Sequence, residues 1–148
     1  MRTLESLQKI LVRDLDLLAA EISAYPSESS LWIIKGDIKN SGGNLCLHLV
    51  GNLQHFIGAV LGNTGYKRNR EAEFSDKDIP KEDLLSQIEE TKKAIIATFA
   101  QLDSSKLGEE YPIQVFGEPM TVEYFLIHLA THLTYHRGQI NYHRRLLS

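Results

Sequence analysis

Histidine is the residue type whose number and placement could do chemistry. Four of the six histidines, His128, His132, His136 and His143, fall within 128–148. The first three follow at steps of four, and in a helix each such step turns the side chain by only about 40°. They therefore share a sector about 80° wide, into which Gln139 and His143 also fall. Two imidazoles at i and i+4 can hold one metal ion from a single helix face. A third ligand must then come from another helix. The stretch around His48 offers one, with Asn44, Asn52 and His55 near its face. The same spacing also suits histidines hydrogen-bonded along the edge of a core, and Arg137, His143, Arg144 and Arg145 suit the negative end of a helix dipole. Spacing alone carries both readings.

The elements that must position these residues are helices. Leu4, Leu7, Leu11, Leu18 and Ile22 recur at helical steps and predict a first helix over 3–24, ended by Pro26 and the serines after it. Residues 25–42 form a long connection, in which Leu31–Ile34 read as a strand or an extended crossing segment. Asn40-Ser41-Gly42-Gly43 signals the start of a second helix reaching about Leu61. A mixed-charge connection fills 66–80. A third helix opens at Asp78 or Pro80 and carries Leu84, Leu85, Ile88, Ile95, Phe99 and Leu102 on one side. Alternation around Gly117 predicts a small β-hairpin within 109–120, and Thr121 caps the last helix. On that helix Val122, Leu126, Leu129, Leu133, Ile140 and Leu147 lie beside the histidine sector, so the histidines edge a core. Four amphipathic helices predict an all-α four-helix bundle with long connections, one domain over 1–148.

Composition narrows the function. The chain has 148 residues and a formal net charge of -3, which argues against a nucleic-acid partner. Its single cysteine, Cys46, excludes an intramolecular disulfide framework and suits a reducing cytoplasm. Charges interrupt the amino-terminal segment, so no secretion signal is read there, and no apolar run is long enough to span a membrane. Cytoplasmic localisation is the expectation. Cys46 reads as a small buried hydrophobe and Trp32 as a core anchor. Tyr135 and Tyr142 lie just outside the histidine sector.

The stretch His128-Leu-Ala-Thr-His132-Leu-Thr-Tyr-His136-Arg137-Gly138-Gln139-Ile140 resembles the last-helix motif of the DinB-like superfamily. That group includes bacillithiol transferase-like proteins and relatives of mycothiol-dependent maleylpyruvate isomerases. Asn40–Leu49 resembles its second-helix motif, and Arg68–Phe74 is similar to a loop of a small, functionally unassigned subfamily. The resemblance covers nearly the whole chain in order. It implies a DinB-like bundle holding a divalent metal, zinc or nickel foremost, on His48, His132 and His136. It makes His128 and Gln139 pocket candidates beside Asn44, Asn52, Tyr135, Arg68 and Arg70. Many relatives carry a His-His pair before the arginine. Here the first of that pair is Tyr135, which leaves the ligand set intact.

Three neutral imidazoles leave an open position on a divalent ion. A coordinated thiol is deprotonated there, whereas a free thiol with a pKa near about 8.5 is mostly unreactive at neutral pH. The resemblance thus implies a metal-dependent transferase that activates a low-molecular-weight thiol such as bacillithiol for attack on an electrophile. The alternatives are a non-catalytic, stress-associated metal-binding bundle acting as a homodimer, and a metal-free bundle with structural histidines. A homodimer is expected from the resemblance and from apolar Leu47, Val50 and Ile57, which exceed the main stripe of the second helix. Arg68, Arg70 and Glu73 read equally as an anion pocket over the metal and as a solvated loop with local ion pairs. A dimer contact is a further reading of that loop.

Overall fold

The computed structural model describes residues 2–147. Four main helices are packed together: α1 (Thr3–Ser23), α2 (Gly42–Leu53), α4 (Lys81–Gln101) and α5 (Val122–Leu146). α1 packs on α4 and α5, and α2 packs on the same two. The expected all-α bundle is therefore present, and its core is built from the predicted stripes. Leu7, Leu11, Leu18 and Ile22 of α1 are buried, as are Val122, Leu126, Leu129, Leu133 and Ile140 of α5. Burying an aliphatic side chain of this kind is worth roughly 1.5–3 kcal/mol, so these stripes hold the bundle together.

The helix starts follow the capping residues. Ser41 Oγ accepts from the backbone N–H of Asn44 at 3.2 Å, and Thr121 Oγ1 accepts from that of Tyr124 at 3.1 Å. α4 starts after Pro80, with Glu82 and Asp83 in its first turn, where acidic side chains favour the positive helix end.

Four details differ from the sequence expectation. The second helix loosens into a π-helical stretch, Gln54–Ala59, before it ends. Leu31–Ile34 is not a strand. A short 3-10 turn, Ser29–Trp32, buries Leu31 and Trp32, and leaves Ile33 and Ile34 exposed. Trp32 lies so close to α2 that a Cβ on Gly43 would stand 2.7 Å from its ring, which explains the glycine. The connection 66–80 holds a short helix, α3 (Arg70–Ser75), begun by Asn69, whose Oδ1 accepts from Ala72 N–H. Among the described residues the hairpin of 109–120 is reduced to one antiparallel bridge, Glu110 with Thr121.

α3 matters because it lies on α2. Every residue of Gly42–Leu53 is buried, and Leu47, Val50 and Ile57 are buried within the chain itself. Those positions therefore leave no apolar surface on the second helix for another copy. Leu47 and Val50 lie beside the polar loop, which folds back onto α2, a placement that helical periodicity does not reveal.

Candidate metal centre

α2 carries His48 to the bundle edge, and α5 carries His132 and His136 one turn apart to the same place. One ring nitrogen from each lies within 4.8 Å of the others. His48 Nε2 and His132 Nε2 are 3.2 Å apart, and the His132 and His136 rings meet edge to face with centroids at 4.5 Å. His48 is buried, and the other two are half-buried.

The other nitrogens of two rings are held by acceptors. His48 Nδ1 lies 3.0 Å from Glu73 Oε1, and His136 Nδ1 lies 2.7 Å from Gln139 Oε1. A carboxylate or amide oxygen only accepts, so each contact suits a ring nitrogen that bears the hydrogen. Gln139 is itself steadied by donating to Tyr135 Oη at 3.2 Å. His132 Nδ1 is buried without a partner among the described residues.

The electrostatics keep the α5 pair neutral. Burial, then the neighbouring His136, His48, His128 and Arg68, push His132 down to about 3. Burial lowers His136 as well, against the hydrogen bond to Gln139, which raises it. Neutral imidazoles are the ligand form, so the rings stand in the protonation state that a cation binds. The residues present therefore fit a divalent ion, and this three-histidine group could hold one.

A model of the family described as "Protein of unknown function (DUF1572)" matches residues 3–148. The chain belongs to this family. No curated protein matches it.

The other candidates of this DUF1572 chain separate by what they touch. His128 stacks on Phe125 with its centroid 6.0 Å from that of His132, and burial lowers its pKa. It flanks the cluster without joining the group. His143 does not join the three-histidine group, although it lines the neighbouring cleft. Its Nδ1 lies 2.6 Å from Tyr25 Oη and its Nε2 lies 2.8 Å from Ile33 O, so it ties α5 to the first connection. His55 lies against the Phe56 ring.

Asn44 is engaged by α3. Its amide donates to the carbonyls of Glu73 at 3.0 Å and Asp76 at 2.8 Å, which pins α3 to α2. Asn52 is buried, and its Oδ1 has no partner among the described residues. Arg68 is no free anion receptor. Its Nε and Nη2 donate to the two oxygens of Glu73 at 2.8 and 3.0 Å, and its guanidinium lies over Phe56. Arg70 is exposed over the Phe74 ring. Arg68 and Glu73 thus pair with each other instead of opening an anion pocket with Arg70.

Glu73 is the residue whose position the sequence conceals. It is 6 % exposed, and although burial pushes its carboxyl up, hydrogen bonds from His48 and Arg68 bring it below the usual carboxylate range. Nothing periodic links it to His48. A cleft of about 560 Å³ adjoins the cluster, sharing His136 and Gln139 with it and lined further by Tyr135, Tyr142, Lys35 and Lys39. That volume suits a small molecule.

Proposed function

We propose that this protein binds a divalent metal, zinc or nickel, on His48, His132 and His136 and is a metal-dependent transferase for a low-molecular-weight thiol. The carrying observation is the convergence of three imidazole nitrogens within 4.8 Å, from two helices. We read the bundle as one DinB-like domain over 1–148, consistent with the family match and the helix order.

A bound ion would supply Lewis acidity, lowering the pKa of a coordinated thiol so that it is held as thiolate at neutral pH. The chain's own residues do the rest. Glu73 and Gln139 hold two of the imidazoles in place. The cleft beside His136 and Gln139 can receive the organic part of a thiol such as bacillithiol, with Tyr135 and Tyr142 against it. The transfer would form a bond from the thiol sulfur to an electrophilic carbon as the leaving group departs with its electron pair, with the thiol proton going to solvent. Cys46 takes no part, since it is fully buried and burial pushes its thiol up to about 12.

Elemental analysis of untagged protein tests the site. About one divalent ion per chain is expected, and it should be lost in both His48→Ala and His136→Ala. A wild-type chain that stays metal-free after incubation with zinc or nickel would overturn the reading. Turnover is tested with bacillithiol and monochlorobimane, comparing the metal-loaded chain with His136→Ala.

A non-catalytic homodimer is the second reading. An apolar groove between α1 and α5, lined by Leu7, Ile10, Ile127 and Ala130, favours it, as does Ile127 at 45 % exposure. Sedimentation at micromolar concentration should then show a dimer, and Ile127→Glu should return it to monomer. A wild-type monomer would remove this reading.

A further inference from the structure

The group behind His48 is built more tightly than a surface ion pair. Glu73 reaches His48 from α3 and lies against Gly51 of α2. A Cβ at Gly51 would stand 2.6 Å from Glu73 Cδ and closer still to Oε2. Any other residue there would occupy the place of the carboxylate. Behind it, Arg68 donates to both oxygens, which fixes the plane of the carboxylate. Asn44 holds the Glu73 carbonyl, and so the backbone from which the side chain starts. Phe74, the next residue, packs against the His48 ring with centroids at 4.9 Å.

We propose that Glu73 is a positioning residue, which with Arg68 behind it and Gly51 beneath it fixes His48 as the Nδ1–H tautomer and presents its Nε2 lone pair to the cluster. The physical reason is the acceptor-only carboxylate. An ionised carboxylate at 3.0 Å can be satisfied by His48 only if Nδ1 carries the hydrogen. In a neutral ring, Nε2 is then bare. That nitrogen is the one 3.2 Å from His132 Nε2. Holding the ring in its ligand tautomer before any ion arrives removes a reorganisation step and raises the basicity of the donor. As a role toward the metal, this rests on the function proposed above. As a statement about the ring, it can be measured without metal.

The experiment is a long-range ¹H–¹⁵N correlation of the histidine rings in metal-free protein at pH 8, paired with zinc titration against a chromogenic chelator. Wild type should show His48 as a single Nδ1–H tautomer. Gly51→Ala leaves every polar group in the chain and takes only the room for the carboxylate. It should return His48 to the mixture typical of free imidazole, weaken zinc by about 10–100-fold and leave the helical circular dichroism unchanged. Glu73→Ala should do the same.

His48 found as Nε2–H in wild type would overturn the inference. So would a Gly51→Ala chain that loses the tautomer yet keeps wild-type zinc affinity. Failure of the proposed function reads differently. The wild type would then bind no zinc while its His48 still showed the Nδ1–H signature, which would uphold the positioning role.

Discussion

Cys46 and His48 are two positions apart and have opposite fates, because two steps along a helix turn a side chain by about 200°. His48 faces the bundle edge and Cys46 faces the interior, where it is fully buried. A thiol pushed up to about 12 has no thiolate at neutral pH. Iodoacetamide should leave the native protein unlabelled and label it fully in urea. Native labelling at a rate near that of a free thiol would contradict the burial. Cys46→Ser should cost about 1–3 kcal/mol in urea unfolding, since the hydroxyl enters an apolar site, with metal content unchanged. At this scale the sequence was informative wherever angle decides the outcome. It aligned His132 with His136, placed His48 on a facing helix through the motif, and turned Cys46 away. His143 shows the limit. It has the right angle, but α5 carries it past the cluster to Tyr25, and distance along the helix axis is not an angular quantity.

Elements add contacts that periodicity does not encode. α1 and α5 are tied by Glu21, which accepts from Arg144 and Asn141, each at 2.7 Å. Burial pushes the Glu21 carboxyl up, but those hydrogen bonds and the charges of Arg144 and Arg137 outweigh it and hold the group below its ordinary 4.5. A folded-state value lower than the unfolded one stabilises the fold above the ordinary carboxylate pKa, and that stability is lost as pH falls through the depressed one. Glu21→Gln should therefore cost about 1 kcal/mol or less at pH 7 and nothing in strong acid, read as melting curves that converge as pH falls. Equal destabilisation at both ends of the range would mean that the tie acts through packing instead. α3 is the element the sequence hides. Its six residues are too few for a helical repeat to show, and what fastens it is polar. Asn44→Ala removes the donor to two carbonyls, so amide exchange over 70–76 should quicken markedly while that of α1 stays slow. Uniform quickening throughout the chain would show that Asn44 serves the whole bundle rather than its strap.

For the molecule as a whole, the cluster joins elements distant in sequence. His48 sits on α2 and the other two histidines on α5, with α3 and α4 between them in the chain. The buried apolar residues of the four helices form one cluster, which is expected to close without any ion. A metal should therefore add stability to a fold that already exists, rather than create one. Linkage sets the size: an ion that binds only the folded chain adds about 2.7 kcal/mol at a free concentration one hundred times its dissociation constant. For a chain of this length, that is about 5–11 °C in melting temperature. Zinc at that excess should raise the melting temperature of wild type by this amount, and a chelator should reverse it without unfolding the protein at 25 °C. His48→Ala should melt near the metal-free wild type and stay there when zinc is added. Unfolding of the wild type by chelator at 25 °C would mean that the stripes do not suffice and that the histidines close the core. An equal zinc shift in His48→Ala would place the ion on α5 alone, where His132 and His136 hold it without the second helix.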